Sequence, residues 1–107
     1  MTDKRIVLST AGTVDEARKI ALHLVKKRLA ACVNLVPRVE SIYRWQGKVE
    51  SAAEWLLLIK TTEQRIPAVR DAIRELHSYE VPECIVLPIE DGSAAYLQWL
   101  GEAVELP

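Results

Sequence analysis

Two extended stretches of unusual length, about residues 31–45 and 48–60, flank Gln46-Gly47 and constrain the fold more than any other feature of this chain. Glycine supplies the positive φ of a tight hairpin turn, so the two stretches pair with each other. Typical strands run about five or six residues, and these are about twice that. Such a hairpin outruns any helix beside it and projects as an arm, carrying Tyr43 and Trp45. Pro37 has no amide to donate to a ladder and therefore marks an edge or a bulge.

The remaining elements follow from periodicity. Ile6-Val7-Leu8 is a short apolar run closed by Thr10-Ala11-Gly12, which predicts a first strand. Thr13-Val14-Asp15-Glu16 has the spacing of a capping box, a hydroxyl and a carboxylate satisfying amides at a helix start. Ala17, Ile20, Ala21, Leu24 and Val25 then form one helical stripe, and Lys26-Lys27-Arg28 complements the negative end of that helix. Ile66, Val69, Ile73 and Leu76 form a second stripe. Pro67 belongs in a first turn, so this helix is expected to begin near Gln64. Tyr79 to Glu83 reads as a loop, Cys84 to Ile89 as a strand, and Asp91-Gly92-Ser93 as the turn into a short helix ending near Gly101. The order β-α-β-β-α-β plus a C-terminal helix predicts an α+β, ferredoxin-like sandwich, one domain over residues 1–107.

Both main helices of that arrangement pack on one face of the sheet, and a strand bare on its other face should alternate apolar and polar. The third strand instead places Trp55, Leu57 and Ile59 on one side and Leu56 and Leu58 on the other. In the fourth, Ile85, Leu87 and Ile89 alternate with Cys84, Val86 and Pro88. Monomers rarely leave such a surface open. Identical copies related by symmetry are expected to cover it, with the aromatic arm as an anchor; the alternative is that the closing helix and loops cover it alone.

Composition excludes several function classes. With 14 basic and 15 acidic residues the net charge is −1, so the total does not point to nucleic acid or an anionic membrane. The charge is uneven: seven Lys/Arg against three acids in residues 1–28, three against nine in residues 61–107. No apolar run approaches the roughly 18 residues of a spanning helix, and no signal-peptide pattern opens the chain, so a cytoplasmic location is expected. Cys32 and Cys84 are the only cysteines, which reads as two core thiols rather than a disulfide framework. Isolated glycines form no phosphate-binding loop, and no nucleophile–base pair is visible, so the chain reads as a non-enzyme. The third strand carries Glu50 and Glu54 where an RNA-binding sheet would present basic residues.

Two constellations remain. His77, Tyr79, Glu80, Glu83 and Cys84 combine imidazole, carboxylate and thiol, a donor set for copper or zinc. Glu50, Glu54 and Lys60 share parity on one strand, so an ion pair is expected there, within or between subunits, with a ligand contact as the alternative.

Ala31-Cys32-Val33-Asn34, Pro37, Ser41-x-Tyr43-x-Trp45-x-Gly47, Lys60-Thr61, His77-x-Tyr79-x-x-Pro82-Glu83 and Tyr96-x-x-Trp99-Leu100 together resemble the CutA proteins, the divalent-cation tolerance family. The resemblance covers nearly the whole chain. It implies a ferredoxin-like homotrimer, similar to the PII-type signalling proteins, and a role in tolerance of divalent metals, copper foremost. It also implies an inter-subunit pocket containing Tyr43, Trp45, Glu50, Lys60, His77, Tyr79 and Glu83; the chain's own candidate metal donors are His77, joined by Cys84 or Cys32 or by His77 of converging subunits. Ser9 and Leu76 stand where some members offer Cys and His. Competing readings are a regulatory trimer binding a small metabolite in its clefts, and a scaffold whose arm docks a protein partner.

Overall fold

The computed structural model describes residues 2–106. It contains β1 (Lys4–Ala11), α1 (Val14–Lys26), β2 (Cys32–Trp45), β3 (Lys48–Thr62), a 3-10 turn (Glu63–Arg65), α2 (Ile66–Leu76), β4 (Ile85–Pro88) and α3 (Ala94–Ala103). The sheet order is β2-β3-β1-β4 and every neighbouring pair is antiparallel, giving the expected α+β architecture.

The arm is real. β1 pairs with β3 only from Trp55 to Thr62, whereas β2 continues beside β3 out to Trp45↔Lys48. Seven residues of each strand, 39–45 and 48–54, therefore pair only with one another. At about 3.3 Å per residue that ribbon spans roughly 23 Å. It stretches the molecule to 44 × 25 × 22 Å. Gln46 and Gly47 both have positive φ, 49° and 81°, which matches the right-handed twist of the flanking strands. At the arm's root the register slips between Val36 and Val39. Pro37 and Arg38 fill the slip, and Arg38 adopts φ 57°, so Pro37 sits in a bulge that spares the ladder its missing amide.

Parity divides the sheet. Val7, Ser9 and Ala11 of β1 face Ile59, Leu57 and Trp55 of β3, and this side meets Ile20 and Leu24 of α1 and Val69 and Ile73 of α2 in a fully buried core. Leu76 packs against it, while Val25 lies 42% exposed at the margin of the predicted α1 stripe. On the opposite side lie Ile6, Leu8, Leu56 and Leu58, half-buried, with Ile85 and Leu87 still 48% and 42% exposed. α3 runs against β3 and β1 on the end marked by Lys4, burying Leu100 and Val104 outside the helix-side core. The closing helix thus covers one end of the second face and leaves the rest apolar and open.

Several boundaries shift. α2 begins at Ile66 instead of near Gln64, because residues 63–65 wind as a tighter 3-10 turn that leads Pro67 into the first helical turn. β4 is Ile85–Pro88, since only four residues find β1 partners. α3 continues through Gly101 to Ala103, its start capped by the Ser93 hydroxyl accepting from the Tyr96 amide.

Candidate functional site

Half of the α1 capping box forms as expected. Thr13 Oγ1 accepts from the Glu16 amide at 3.2 Å. The carboxylate goes elsewhere: Glu16 accepts from the Ser78 amide at 2.8 Å and from the Ser78 hydroxyl at 2.8 and 3.0 Å. That contact pins the segment after α2 to the start of α1. Burial opposes ionisation of Glu16, but the bonds from the Ser78 amide and hydroxyl outweigh it and hold the carboxyl below its ordinary range.

His77 lies at the centre of this clasp with its side chain wholly buried. Nε2 donates to the Thr10 carbonyl at 2.5 Å, since a carbonyl only accepts. Nδ1 accepts the Tyr79 amide at 3.0 Å and lies 3.0 Å from Glu16. Neither ring nitrogen offers a free lone pair, so the imidazole ties β1 to the Tyr79 loop, with Ser78 supplying the tie to Glu16 of α1. Tyr79 lies against the imidazole with ring centroids 4.5 Å apart, and its hydroxyl donates to Glu54 Oε2 at 2.7 Å. Burial, together with that carboxylate, pushes the phenol well above its usual range, so it remains a donor.

Glu54 and Tyr79 open onto a cavity of about 670 Å³ at the arm's root. Its walls are Thr10 of β1, Ser41 to Tyr43 and Trp45 of β2, and Glu80, Val81 and Glu83 of the loop. The expected pocket residues Tyr43, Trp45, Tyr79 and Glu83 are brought together here. Glu50 lies farther out on the arm opposite Tyr43, His77 stands behind Tyr79, and Lys60 is six strand positions from Glu54.

The ion pair expected among Glu50, Glu54 and Lys60 does not form within the chain. Glu54 bonds Tyr79, and the Lys60 ammonium donates to Asn34 Oδ1 across the β2–β3 pair. Shared parity set the direction of the side chains correctly, but six residues of strand, about 20 Å, keep Lys60 away from Glu54. Glu54 is therefore a cavity residue whose partner within the chain is Tyr79, brought to it by the loop after α2 folding back across the sheet.

The proposed metal donors do not converge within one chain. Cys84 packs against the helix-side core, and burial pushes its thiol up, away from the thiolate a metal requires. Cys32 lies on the other side of the sheet beside Asn34. Among the described residues no three His, Cys, Asp or Glu side chains are grouped to hold a metal ion. One chain alone thus does not fit a copper ion at His77, Cys32 and Cys84. Also among the described residues, no helix is long and apolar enough to cross a membrane.

Residues 5–103 match the family described as CutA1 divalent ion tolerance protein. The divalent-cation tolerance protein CutA of Thermus thermophilus is 50% identical over 99 residues, 92% of this chain and 96% of that protein. The human protein CutA is 51% identical over 89 residues, 83% of this chain but only 50% of the longer human protein. The crystal structure of CutA from Xylella fastidiosa superposes with a TM-score of 0.95 at 38% identity, covering 97% of this chain and all of that one. Arm, open apolar face and the Glu54–Tyr79–His77 clasp accordingly belong to a chain that is a member of the CutA1 divalent ion tolerance family.

Proposed function

We propose that the chain works in the cytoplasm as a homotrimer without catalytic activity, taking part in tolerance of divalent metals, copper foremost, through the assembly rather than through a site preformed in one subunit. The observation that carries this reading is the second sheet face: Ile6, Leu8, Leu56, Leu58, Ile85 and Leu87 form an apolar surface that α3 covers only at one end. Surfaces of that kind mark association, and a second and third copy supply the cover by symmetry. Membership in a divalent ion tolerance family supports the metal role.

Any copper contact then draws donors from different subunits. Of His77, Cys84 and Cys32, the first is committed on both nitrogens and the second is turned to the core. Cys32, half-buried on the open side of the sheet and making one long thiol contact, 4.0 Å to Asn34 Oδ1, is the donor a neighbouring subunit reaches most readily. Analytical ultracentrifugation of wild type and Leu87→Glu, with Cu(II) calorimetry on wild type, Cys32→Ser and His77→Ala, tests both parts. Wild type is expected to sediment at three times the mass of the 12.0 kDa chain and Leu87→Glu at less. Copper heat is expected to fall in Cys32→Ser and persist in His77→Ala. A stable wild-type monomer at micromolar concentration would end the assembly reading, and negligible heat from every protein would end direct binding.

A further inference from the structure

α1 packs on the side of the sheet away from the apolar face that neighbouring copies cover, so its outer surface stays open in the assembly. Residues 17–28 hold five cations, Arg18, Lys19, Lys26, Lys27 and Arg28, and no carboxylate. The whole chain carries −1, so everything outside this segment sums to −6. All five cations are exposed, and the four ion pairs among the described residues involve none of them. Of the two acids in the first turn of α1, Glu16 is held by Ser78, which leaves Asp15 as the one exposed acid on the helix. Gathered cations repel one another and attract an anionic partner.

Two aliphatic side chains stand among these charges. Leu22 is 55% and Val25 42% exposed, and they are the only large apolar groups open to solvent on α1 or α2. Arg18, Leu22 and Lys26 follow at intervals of four, and Lys19 and Val25 lie three residues to either side of Leu22, so the five share one face.

The end of the helix repeats the theme against backbone preference. The Leu29 amide donates to the Leu24 carbonyl at 2.8 Å and the Arg28 amide to the Val25 carbonyl at 3.1 Å, a closure whose left-handed position is ordinarily glycine. Arginine occupies it with φ 59°. Glycine would close the same helix without strain, so a cation is what the arginine adds.

The cavities at the arm's root and beside Lys4 take no residue from α1. A helix exposed along one side is convex and meets an extended surface. Nucleic-acid phosphates would use the cations and leave Leu22 and Val25 wet. An anionic bilayer uses both, its headgroups drawing Lys and Arg and its acyl boundary taking apolar side chains. We propose that α1 docks the protein peripherally on an anionic lipid surface, with Arg18, Lys19, Lys26 and Arg28 on headgroups and Leu22 and Val25 at the acyl boundary. The face uses none of His77, Cys84 or Cys32 and is independent of the metal reading.

Co-sedimentation of the full-length protein with vesicles tests the proposal. Wild type should bind vesicles of phosphatidylcholine containing about one-third phosphatidylserine, should not bind pure phosphatidylcholine, and should release as salt rises. Arg18→Gln and Lys26→Gln should each lower the partition coefficient about fivefold, the loss expected for one cation at such a surface. Leu22→Gln keeps every charge and should lower it by about the same factor. Arg28→Gly should weaken binding likewise while raising the midpoint of thermal unfolding, because it relieves the left-handed strain. Lys48→Gln, at the arm's tip, should change binding by less than about twofold, since salt screens a charge that does not touch the surface. All these positions are exposed, and circular dichroism checks that each variant is folded. Absence of binding by wild type to the anionic vesicles overturns the proposal. So does equal binding to neutral vesicles, or a loss in Lys48→Gln equal to that in Lys26→Gln. If Leu22→Gln binds as wild type does and a DNA duplex or polyglutamate holds the same face more tightly than vesicles do, the partner is a soluble polyanion and the lipid assignment falls.

Discussion

Ser9 offers a measurable test of the division of the sheet into two sides. It occupies a helix-facing position of β1, between Val7 and Ala11 and opposite Leu57, and is wholly buried. Its hydroxyl is the one buried side-chain polar atom among the described residues without a hydrogen-bond partner. Leaving such a group unpaired costs about 1–3 kcal/mol. Ser9→Ala removes that penalty and leaves a void of one oxygen, roughly 10–15 Å³, which at about 24 cal/mol per Å³ returns only some 0.3 kcal/mol. The variant is therefore expected to be more stable by about 1 kcal/mol or more. In a domain of this size that raises the midpoint of thermal unfolding by about 4–8 °C per kcal/mol. Melts must be compared at one protein concentration, because association adds to apparent stability. Ser9→Cys, whose thiol is a weaker donor and a better hydrophobe, should also be at least as stable as wild type. It should gain no copper binding, because a side chain here points into the core. A destabilised Ser9→Ala, or a Ser9→Cys protein that acquires saturable copper binding, would refute the placement of residue 9.

Two further outcomes follow from the clasp. Tyr79→Phe leaves the buried Glu54 carboxylate without its donor and should destabilise the fold by about 1–3 kcal/mol in urea unfolding; the double variant with Glu54→Gln should recover part of the loss, and additive effects would show the two side chains uncoupled. Glu16 has a folded-state carboxyl pKa below its ordinary value of 4.5, so its contribution is complete above that pH and lost as pH falls through the lower folded value; stability of wild type should fall more steeply below pH 4.5 than that of Glu16→Gln, and parallel acid titrations would contradict the Ser78 contacts.

The elements of this fold were legible because each has a local cause. Gln46-Gly47 sets the hairpin turn, Pro37 the bulge, Thr13 the first helix start, and the two-sided greasiness of residues 55–59 the uncovered face. Parity also told which way Glu54 and Lys60 point. It did not tell what would come to meet them, because Tyr79 and Asn34 reach them from elements 25 and 26 residues away in the chain. The same limit explains Glu16, whose carboxylate was expected to close its own helix cap and instead holds Ser78 across 62 positions. It also explains His77, where a pattern of donor-bearing residues resembles a metal site until one nitrogen is seen to be taken by the Thr10 carbonyl 67 positions away and the other by the Tyr79 amide two residues along. Local rules assign elements; long-range closures assign partners.

The bulge at Pro37 and Arg38 has a bearing on solubility. β2 is the longer of the two edge strands of the sheet and runs for 14 residues. An unbroken flat edge of that length is a template on which further strands can add without end. The proline removes one donor, and the left-handed arginine turns the backbone aside at the same point, dividing the border into two short pieces out of register with each other. A chain that exposes this much apolar surface for orderly association is thereby guarded against fibre growth along its most vulnerable margin.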